Sequence, residues 1–374
     1  MTKRHVYLAA GGTGGHIFPA LAVAEALQAR GYSAHLLTDQ RGAKLLSGAS
    51  SLPATLQVIT AASPFQNDMI KRCFAVTKLT VGAIASLYHL MIRRPALIIG
   101  FGGYPTFAPL IVGRFLGIPI LLHEQNAFLG RANRILAKFA NALALSWPQT
   151  KNLPDIRHPQ VTGIPVRQAF FDAAQTPYRI AATTTVNLVV LGGSQGASIL
   201  ASLVPDAIAM LDPTIRQRLQ IYQQARREQI DWLRHRYDDL GMTSDIQSFY
   251  KDMPSLLGQS HLVICRAGAS SVAELAAIGR PSLLLPLPSA MDGHQRMNAL
   301  QMQDAGGGIC LDETNLSAAG LATRLTLLLE TPKTLSKMAK SARDLASPHA
   351  ASLIAAMAEN LMAAVPAEHD GAAA

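Results

Sequence analysis

Val6-Tyr7-Leu8-Ala9-Ala10-Gly11-Gly12-Thr13-Gly14-Gly15-His16 comes almost at the start of the chain, and its reading decides the fold. Five consecutive apolar residues run into a glycine-rich turn, and apolar side chains then recur at helical spacing to about Arg30. A short buried strand, a glycine turn and an amphipathic helix, in that order, open a parallel, doubly wound α/β sheet. The same grammar returns at Asn187-Leu188-Val189-Val190-Leu191, then Gly192-Gly193-Ser194-Gln195-Gly196, then a helix from Ala197 to about Leu211.

Further short, nearly continuous apolar runs fit strands covered on both faces. Ala34–Thr38, Leu97–Gly100 and Ile118–His123 continue the first sheet, and Leu219–Gln223, His261–Cys265, Ser282–Pro286 and Gly308–Leu311 the second. Breakers and polar residues cluster over Lys151–Arg167, which marks a boundary. The expected organisation is an α/β chain of two Rossmann-like domains, residues 1–160 and 167–345. A terminal helix over 350–365 follows, and then a frayed tail.

Composition agrees with a large folded core: 374 residues, 49% apolar and 15% charged. The three cysteines, Cys73, Cys265 and Cys310, are scattered, so no disulfide framework or zinc-spaced cluster is expected, and the chain reads as one kept reduced. There is no H-x-x-x-H, D-x-D or C-x-x-C, so no tightly bound metal is expected either. The Walker pattern is missing from both glycine loops, which disfavours a P-loop nucleotidase.

Charge divides the chain. Residues 1–166 hold 16 basic and 5 acidic side chains, and the remainder 17 and 19. A basic half can serve nucleic acid, an anionic membrane or an anionic substrate. The basic start, Met1–His5, leads directly into a strand, so no secretory signal is expected. Leu79–Ile92 is apolar and uncharged but spans only about 21 Å as a helix, too short to cross a bilayer. Around it, Met69, Cys73, Val76, Ala83, Leu87 and Met91 recur at helical spacing amid Lys71, Arg72, Lys78, Arg93 and Arg94. That pattern fits a helix packed on the sheet, or one that also dips into a headgroup layer.

Glycine loops at strand–helix junctions expose backbone N–H groups and the positive end of a helix dipole, and both favour phosphate. Against the dinucleotide fingerprint, Gly12-Thr13-Gly14-Gly15-His16-Ile17 has Ile in the last glycine position. Asp39, however, ends the second strand where an acid would grip an NAD ribose. Ser194 adds a hydroxyl to the second loop. His123-Glu124-Gln125-Asn126 ends an apolar strand, where side chains should face a ligand. Arg266-Ala267-Gly268-Ala269-Ser270-Ser271-Val272-Ala273-Glu274 starts a helix with small residues, and Glu274 is placed to hold ribose hydroxyls. Asp292-Gly293-His294-Gln295-Arg296-Met297-Asn298 forms a third polar cluster. His16 opens the first helix, where the dipole favours its neutral form and suits it to accept a proton.

Taken together these motifs, with Gly100-Phe101-Gly102-Gly103-Tyr104 and Thr162-Gly163-Ile164-Pro165-Val166-Arg167, resemble the MurG family. Its members are bacterial glycosyltransferases that add N-acetylglucosamine to the undecaprenyl-linked peptidoglycan precursor lipid I. The resemblance covers most of the chain. It implies a GT-B fold with a cleft between two Rossmann-like domains, UDP-N-acetylglucosamine (UDP-GlcNAc) as donor, and no tightly bound metal, although a divalent cation can assist in solution. It implies that Ser194 and the Gly192–Gly196 backbone hold the donor diphosphate with support from Arg167. Ala269, Ser270, Ser271, Val272, Ala273 and Glu274 then serve the nucleotide, the Tyr250 backbone after Phe249 reads uracil, and Gln295 and Asn298 contact the sugar. Thr13, Gly14, Gly15 and Asn126 fall on the acceptor side, with His16 as general base supported by Glu124 and Asn126.

The resemblance also assigns Lys71, Arg72, Phe74, Lys78 and Leu79 to an anionic membrane surface, on the cytoplasmic face of the inner membrane. It leaves room for cell-wall or division proteins as partners and makes nucleic acid the least expected one. The alternative within this fold is a UDP-GlcNAc epimerase or another nucleotide-sugar enzyme. Two departures stand out: Ile164 where the family often has Asn, and Pro105-Thr106-Phe107-Ala108 in place of the common Val-Ser-Gly.

Overall fold

A computed structural model describes residues 4–47, 52–61, 69–155, 159–181, 185–192, 198–290 and 293–364, with backbone alone over 69–76. The chain forms two compact units. The first is Met1–Arg167 with Ser347–Ala374, and the second is Gln168–Ala346.

The sheet of the first unit has seven parallel strands: β1 (His5–Ala9), β2 (Ser33–Thr38), β3 (Thr55–Val58), β4 (Leu97–Gly100), β5 (Ile120–Glu124), β6 (Ala142–Leu145) and β7 (Gln160–Val161), in the order β3-β2-β1-β4-β5-β6-β7. The sheet of the second has six: β8 (Val186–Leu191), β9 (Leu219–Gln224), β10 (Thr243–Gln247), β11 (Leu262–Cys265), β12 (Ser282–Leu284) and β13 (Gly308–Cys310), in the order β10-β9-β8-β11-β12-β13. In both, the chain first winds outward one way and then returns to the other side of its first strand. The reversal lies between β1 and β4, and between β8 and β11. Ligands of open α/β sheets bind at such switch points, outside the carboxyl ends of the strands.

Alternation along β1 builds both faces of the first sheet. Val6 and Leu8 join the core under the helix Gly14–Ala29, whereas Tyr7 and Ala9 face Leu37, Ile98, Leu110 and Leu122 on the other side. The terminal helix Ala350–Ala364 belongs to the first of these cores: Ile354, Ala355, Ala358 and Met362 pack with Leu21, Ala24 and Leu97. Arg30 fastens the same helix by donating to Ser352 Oγ at 2.9 Å and pairing with Glu359 at 3.4 Å. Where the chain leaves the first unit, Gly163 has φ +83°, and a β-carbon there would fall 2.2 Å from Ser347 Oγ.

The long helix Met69–Ile92 packs on the opposite face and on the helix Phe107–Phe115. Gly82, Ser86 and Leu90 turn inward at four-residue spacing. A β-carbon on Gly82 would stand 2.2 Å from the Thr60 carbonyl oxygen, so this glycine allows the helix to lie directly on backbone. Among the described residues no helix is long and apolar enough to cross a membrane.

Candidate active site

The glycine loop of the first unit lies at its switch point. Gly11 N–H donates to Gly102 O at 2.9 Å, and a β-carbon on Gly103 would meet the Gly11 α-carbon at 2.7 Å, so the loops after β1 and β4 touch through bare backbone. Thr13 is the N-cap of the helix Gly14–Ala29, and its backbone is extended at φ −121°, ψ 151°. The Thr13 hydroxyl lies 3.3 Å from His16 Nδ1, while His16 Nε2 comes within 3.2 Å of where a Gly102 β-carbon would stand. The imidazole therefore rests over a glycine that leaves it room, half-buried at the carboxyl ends of β1 and β4. Gly15 lies beside it in the first helical turn.

Asp39 answers the dinucleotide question differently from the sequence. Its Oδ1 accepts from Gly42 N–H at 3.0 Å, capping the helix Gln40–Leu46, and its Oδ2 accepts from Arg41 Nε and Nη2 at 3.0 and 2.8 Å. A β-carbon on Gly12 would fall 2.0 Å from Asp39 Oδ1. The acid expected to hold a ribose instead seals the glycine loop against the next helix, so the NAD reading loses its key residue.

The quartet at the end of β5 is corrected as well. His123, Glu124 and Gln125 do not face a ligand: they are buried, and they fix the loops around them. The Glu124 carboxylate, 2% exposed, accepts four hydrogen bonds: from the backbone and side-chain amides of Asn126, from Gly130 N–H at 3.0 Å and from Asn133 Nδ2 at 2.9 Å. Burial raises its pKa, and these four donors oppose the rise. With its oxygens so committed, Glu124 holds Asn126 and ties it to Gly130 and Asn133. Gln125 Nε2 donates to Phe101 O at 2.9 Å, tying β5 to the β4 loop. His123 Nε2 meets Gly163 O at 3.1 Å, and burial depresses its pKa to about 4. Only Asn126 of the four is half-exposed. Asn133, which the sequence reading missed, donates to both His123 O and Glu124. Its place on a short helix ten residues downstream gave no periodic signal.

Arg167 places its guanidinium 4.7 Å from the centre of the Phe18 ring. Phe18 in turn lies against Gly14, whose β-carbon would meet the ring at 2.9 Å. The structure thus brings Arg167 to the first unit's glycine loop. Ser194 and its neighbours Gly193, Gln195 and Gly196 lie outside the described residues.

In the second unit, polar side chains lace together the carboxyl ends of β11, β12 and β13. Gln295 Oε1 accepts from Leu287 N–H at 3.0 Å, and Asn298 Nδ2 donates to Ala267 O at 3.3 Å. Arg266 donates to Leu285 O at 3.1 Å and pairs with Glu313, another residue absent from the sequence reading. The helix Ala269–Ile278 begins after Gly268 with no side-chain cap. Of its expected ligand residues, Ser271 and Glu274 are half-exposed one turn apart, Ala269 and Ser270 are buried at the first turn, and Val272 and Ala273 belong to the core. Tyr250 is buried with its hydroxyl on Asp245 O at 2.6 Å, and Phe249 beside it is exposed.

The proposed membrane residues divide. Lys71, Arg72 and Phe74 carry no described side chains; Lys78 is exposed and Leu79 half-buried. The apolar surface is richer further along the helix, where Ile84, Tyr88 and Met91 are 63%, 63% and 66% exposed beside exposed Arg93 and Arg94. Phe115, at the end of the neighbouring helix, is exposed too. Among the described residues no group of three or more His, Cys, Asp or Glu is arranged to hold a metal ion.

Two family models match the chain: the glycosyltransferase family 28 N-terminal domain over residues 6–145 and the family 28 C-terminal domain over residues 187–354. A curated relative from Sinorhizobium fredii (strain NBRC 101917 / NGR234) is 41% identical over 96% of each chain. One from Agrobacterium fabrum (strain C58 / ATCC 33970) is also 41% identical, over 96% of this chain and 95% of its own. Both are named UDP-N-acetylglucosamine--N-acetylmuramyl-(pentapeptide) pyrophosphoryl-undecaprenol N-acetylglucosamine transferase. The crystal structure of Acinetobacter baumannii MurG is similar at TM-score 0.75 and 30% identity, covering 96% of this chain and 99% of that one. The calicheamicin glycosyltransferase CalG4, at TM-score 0.65 and 16% identity over 98% of this chain and 100% of its own, shares the fold.

Proposed function

The chain belongs to glycosyltransferase family 28, and on that premise we propose that it transfers N-acetylglucosamine from UDP-GlcNAc to undecaprenyl-pyrophosphoryl-N-acetylmuramyl-pentapeptide. The product is the disaccharide-bearing lipid that feeds peptidoglycan assembly, and with it cell shape and division. The observation that carries this reading is the near-full-length likeness to relatives bearing that activity in their names, together with a GT-B fold whose first switch point carries a glycine loop.

In this reading the first unit takes the acceptor through Thr13, Gly14, Gly15 and Asn126, and the second takes the donor through Ser194, the Tyr250 backbone, the helix start Ala269–Glu274, Gln295 and Asn298. The acceptor's C4 hydroxyl attacks the anomeric carbon of the donor sugar, UDP leaves from the opposite face, and a β-1,4 bond forms with inversion. His16 accepts the hydroxyl proton. Charge growing on the leaving diphosphate is met by backbone N–H groups at a helix start and by Arg167, a preorganised arrangement that needs no tightly bound metal. A divalent cation in solution can assist the departing UDP.

We assign the protein to the cytoplasmic face of the bacterial inner membrane, held peripherally by the Ile84–Tyr88–Met91 face and its surrounding basic residues. An apolar stripe rimmed by cations suits an anionic interface rather than nucleic acid. Cell-wall and division proteins are the protein partners this location suits.

The test is incubation of the protein with UDP-GlcNAc and a lipid I analogue. A β-1,4-linked disaccharide and UDP are expected, and no sugar conversion without acceptor. Donor epimerisation in the absence of acceptor would instead support the epimerase alternative.

A further inference from the structure

Arg266 lies across the carboxyl ends of three adjacent strands in the second unit. It follows β11, donates to the carbonyl of Leu285 directly after β12, and pairs with Glu313 shortly after β13. Both side chains are largely withdrawn from water, at 11% and 16% exposure. Strand register fixes this geometry: Leu285 N–H donates to Cys265 O, and Leu311 N–H to Leu284 O, each at 2.8 Å. Two residues after Arg266, Gly268 leaves the first turn of the helix Ala269–Ile278 without a side-chain cap. Arg266 stands three residues before this helix, and a lone guanidinium there would favour phosphate, but Glu313 cancels its charge.

We propose that Glu313 is a specificity-determining residue of the donor site: by neutralising Arg266, it keeps that site from favouring the more negative nucleotide over the nucleotide sugar. This rests on the reading of the second unit as a UDP-GlcNAc site. The chemistry follows from charge alone. Cleaving the sugar from UDP-GlcNAc frees a terminal phosphate that ionises a second time at about pH 6. At neutral pH the product UDP is therefore more negative than the donor. An unopposed Arg266 would hold UDP and slow its release, whereas the neutral pair discriminates little between them.

The experiment is calorimetric titration of the full chain and its Glu313→Gln variant with UDP, UDP-GlcNAc and uridine, at low and high salt. Glu313→Gln is expected to tighten UDP by about threefold to tenfold and UDP-GlcNAc by less. Uridine, which shares base and ribose but carries no charge, should be unaffected, and the gain should fade in 0.5 M salt over a Debye length of about 4 Å. The double variant Arg266→Gln/Glu313→Gln removes both charges and should return the UDP-to-uridine affinity ratio to that of the unaltered protein. It serves as the deciding measurement if Glu313→Gln alone fails to fold.

Parallel weakening of UDP and uridine would make the pair merely structural and overturn the inference. So would an unchanged UDP-to-uridine ratio in Glu313→Gln, or a ratio that shifts in the double variant. Failure of the unaltered protein to bind any uracil nucleotide would overturn the donor-site reading itself, and the inference with it.

Discussion

Glu124 grips Asn126 twice: Oε1 accepts from both the backbone N–H and the side-chain amide of Asn126, each at 3.0 Å. The other oxygen, Oε2, holds Gly130 and Asn133. One buried carboxylate thus sets the loop that carries Asn126 and the helix that follows it. Glu124→Gln puts an amide N–H₂ where two donors now converge, leaving buried groups unpaired at about 1–3 kcal/mol each. The expected outcome is a lower urea midpoint together with a loss of turnover, read by denaturation and by product formation on the same preparation.

His16→Ala removes the group proposed to accept the acceptor's proton and leaves the sequence of the second unit unchanged. Turnover should fall by about 10²–10⁴, while calorimetric affinity for UDP-GlcNAc stays within about twofold, since general-base catalysis acts on the chemical step. Near-normal turnover would remove His16 from the role.

Acid should weaken the fold through two buried histidines. His123 is described above. His35 contacts His5 Nδ1 at 2.8 Å and Thr55 Oγ1 at 2.5 Å, and burial, His5 and Arg93 together hold its pKa down to about 4, as burial does for His123. An unfolded histidine titrates at about 6.5. Between these values the unfolded chain binds more protons than the folded one, so stability rises with pH across the window and is lost as pH falls through it. Thermal melts from pH 4.5 to 7.5 should show the midpoint climbing and then levelling, and His35→Asn should flatten part of the climb.

Gly82→Ala drives a β-carbon into the Thr60 carbonyl oxygen, a backbone atom that cannot swing aside. Overpacking of this kind costs about 1–3 kcal/mol. A lower denaturation midpoint is expected, whereas Ala substituted at exposed Lys78 should change it little.

Paired Ile84→Asp and Met91→Asp substitutions should strip the apolar stripe while leaving the buried face of the long helix intact. Burying such a side chain in an interface contributes about 1.5–3 kcal/mol, so sedimentation with anionic vesicles should fall by at least about tenfold. Unchanged sedimentation would place membrane attachment elsewhere.

Much of this was legible because it rests on local rules. Val6–Ala10 before five residues of glycine-rich turn announced a parallel sheet, and Asn187–Leu191 announced it again. The edge strands β3 and β10 were not legible: Thr55, Gln57, Thr243 and Asp245 alternate with few apolar residues, because an edge strand needs less core. Nor could the sequence tell a ligand-facing carboxylate from one that holds its own loop. Asp39 and Glu124 stood where chemistry was expected, yet Gly42, Arg41, Asn126, Gly130 and Asn133 claim them, and these partnerships appear only when strands and loops are brought together. The long helix was legible as a helix, but not its outward side, which depends on Gly82 meeting Thr60. Glu313 was missed because its partner Arg266 lies 47 residues earlier.

The terminal helix also sets an order of events during synthesis. The first unit is complete only when Ile354, Ala355, Ala358 and Met362 have joined its core, whereas the second is one continuous stretch, Gln168–Ala346. A ribosome delivers the whole of the second unit before it delivers the last piece of the first, and domains fold as units while the chain emerges. The half that begins first therefore finishes last, and a chain that stops short of residue 350 would carry a finished second unit beside a first one with an open apolar face.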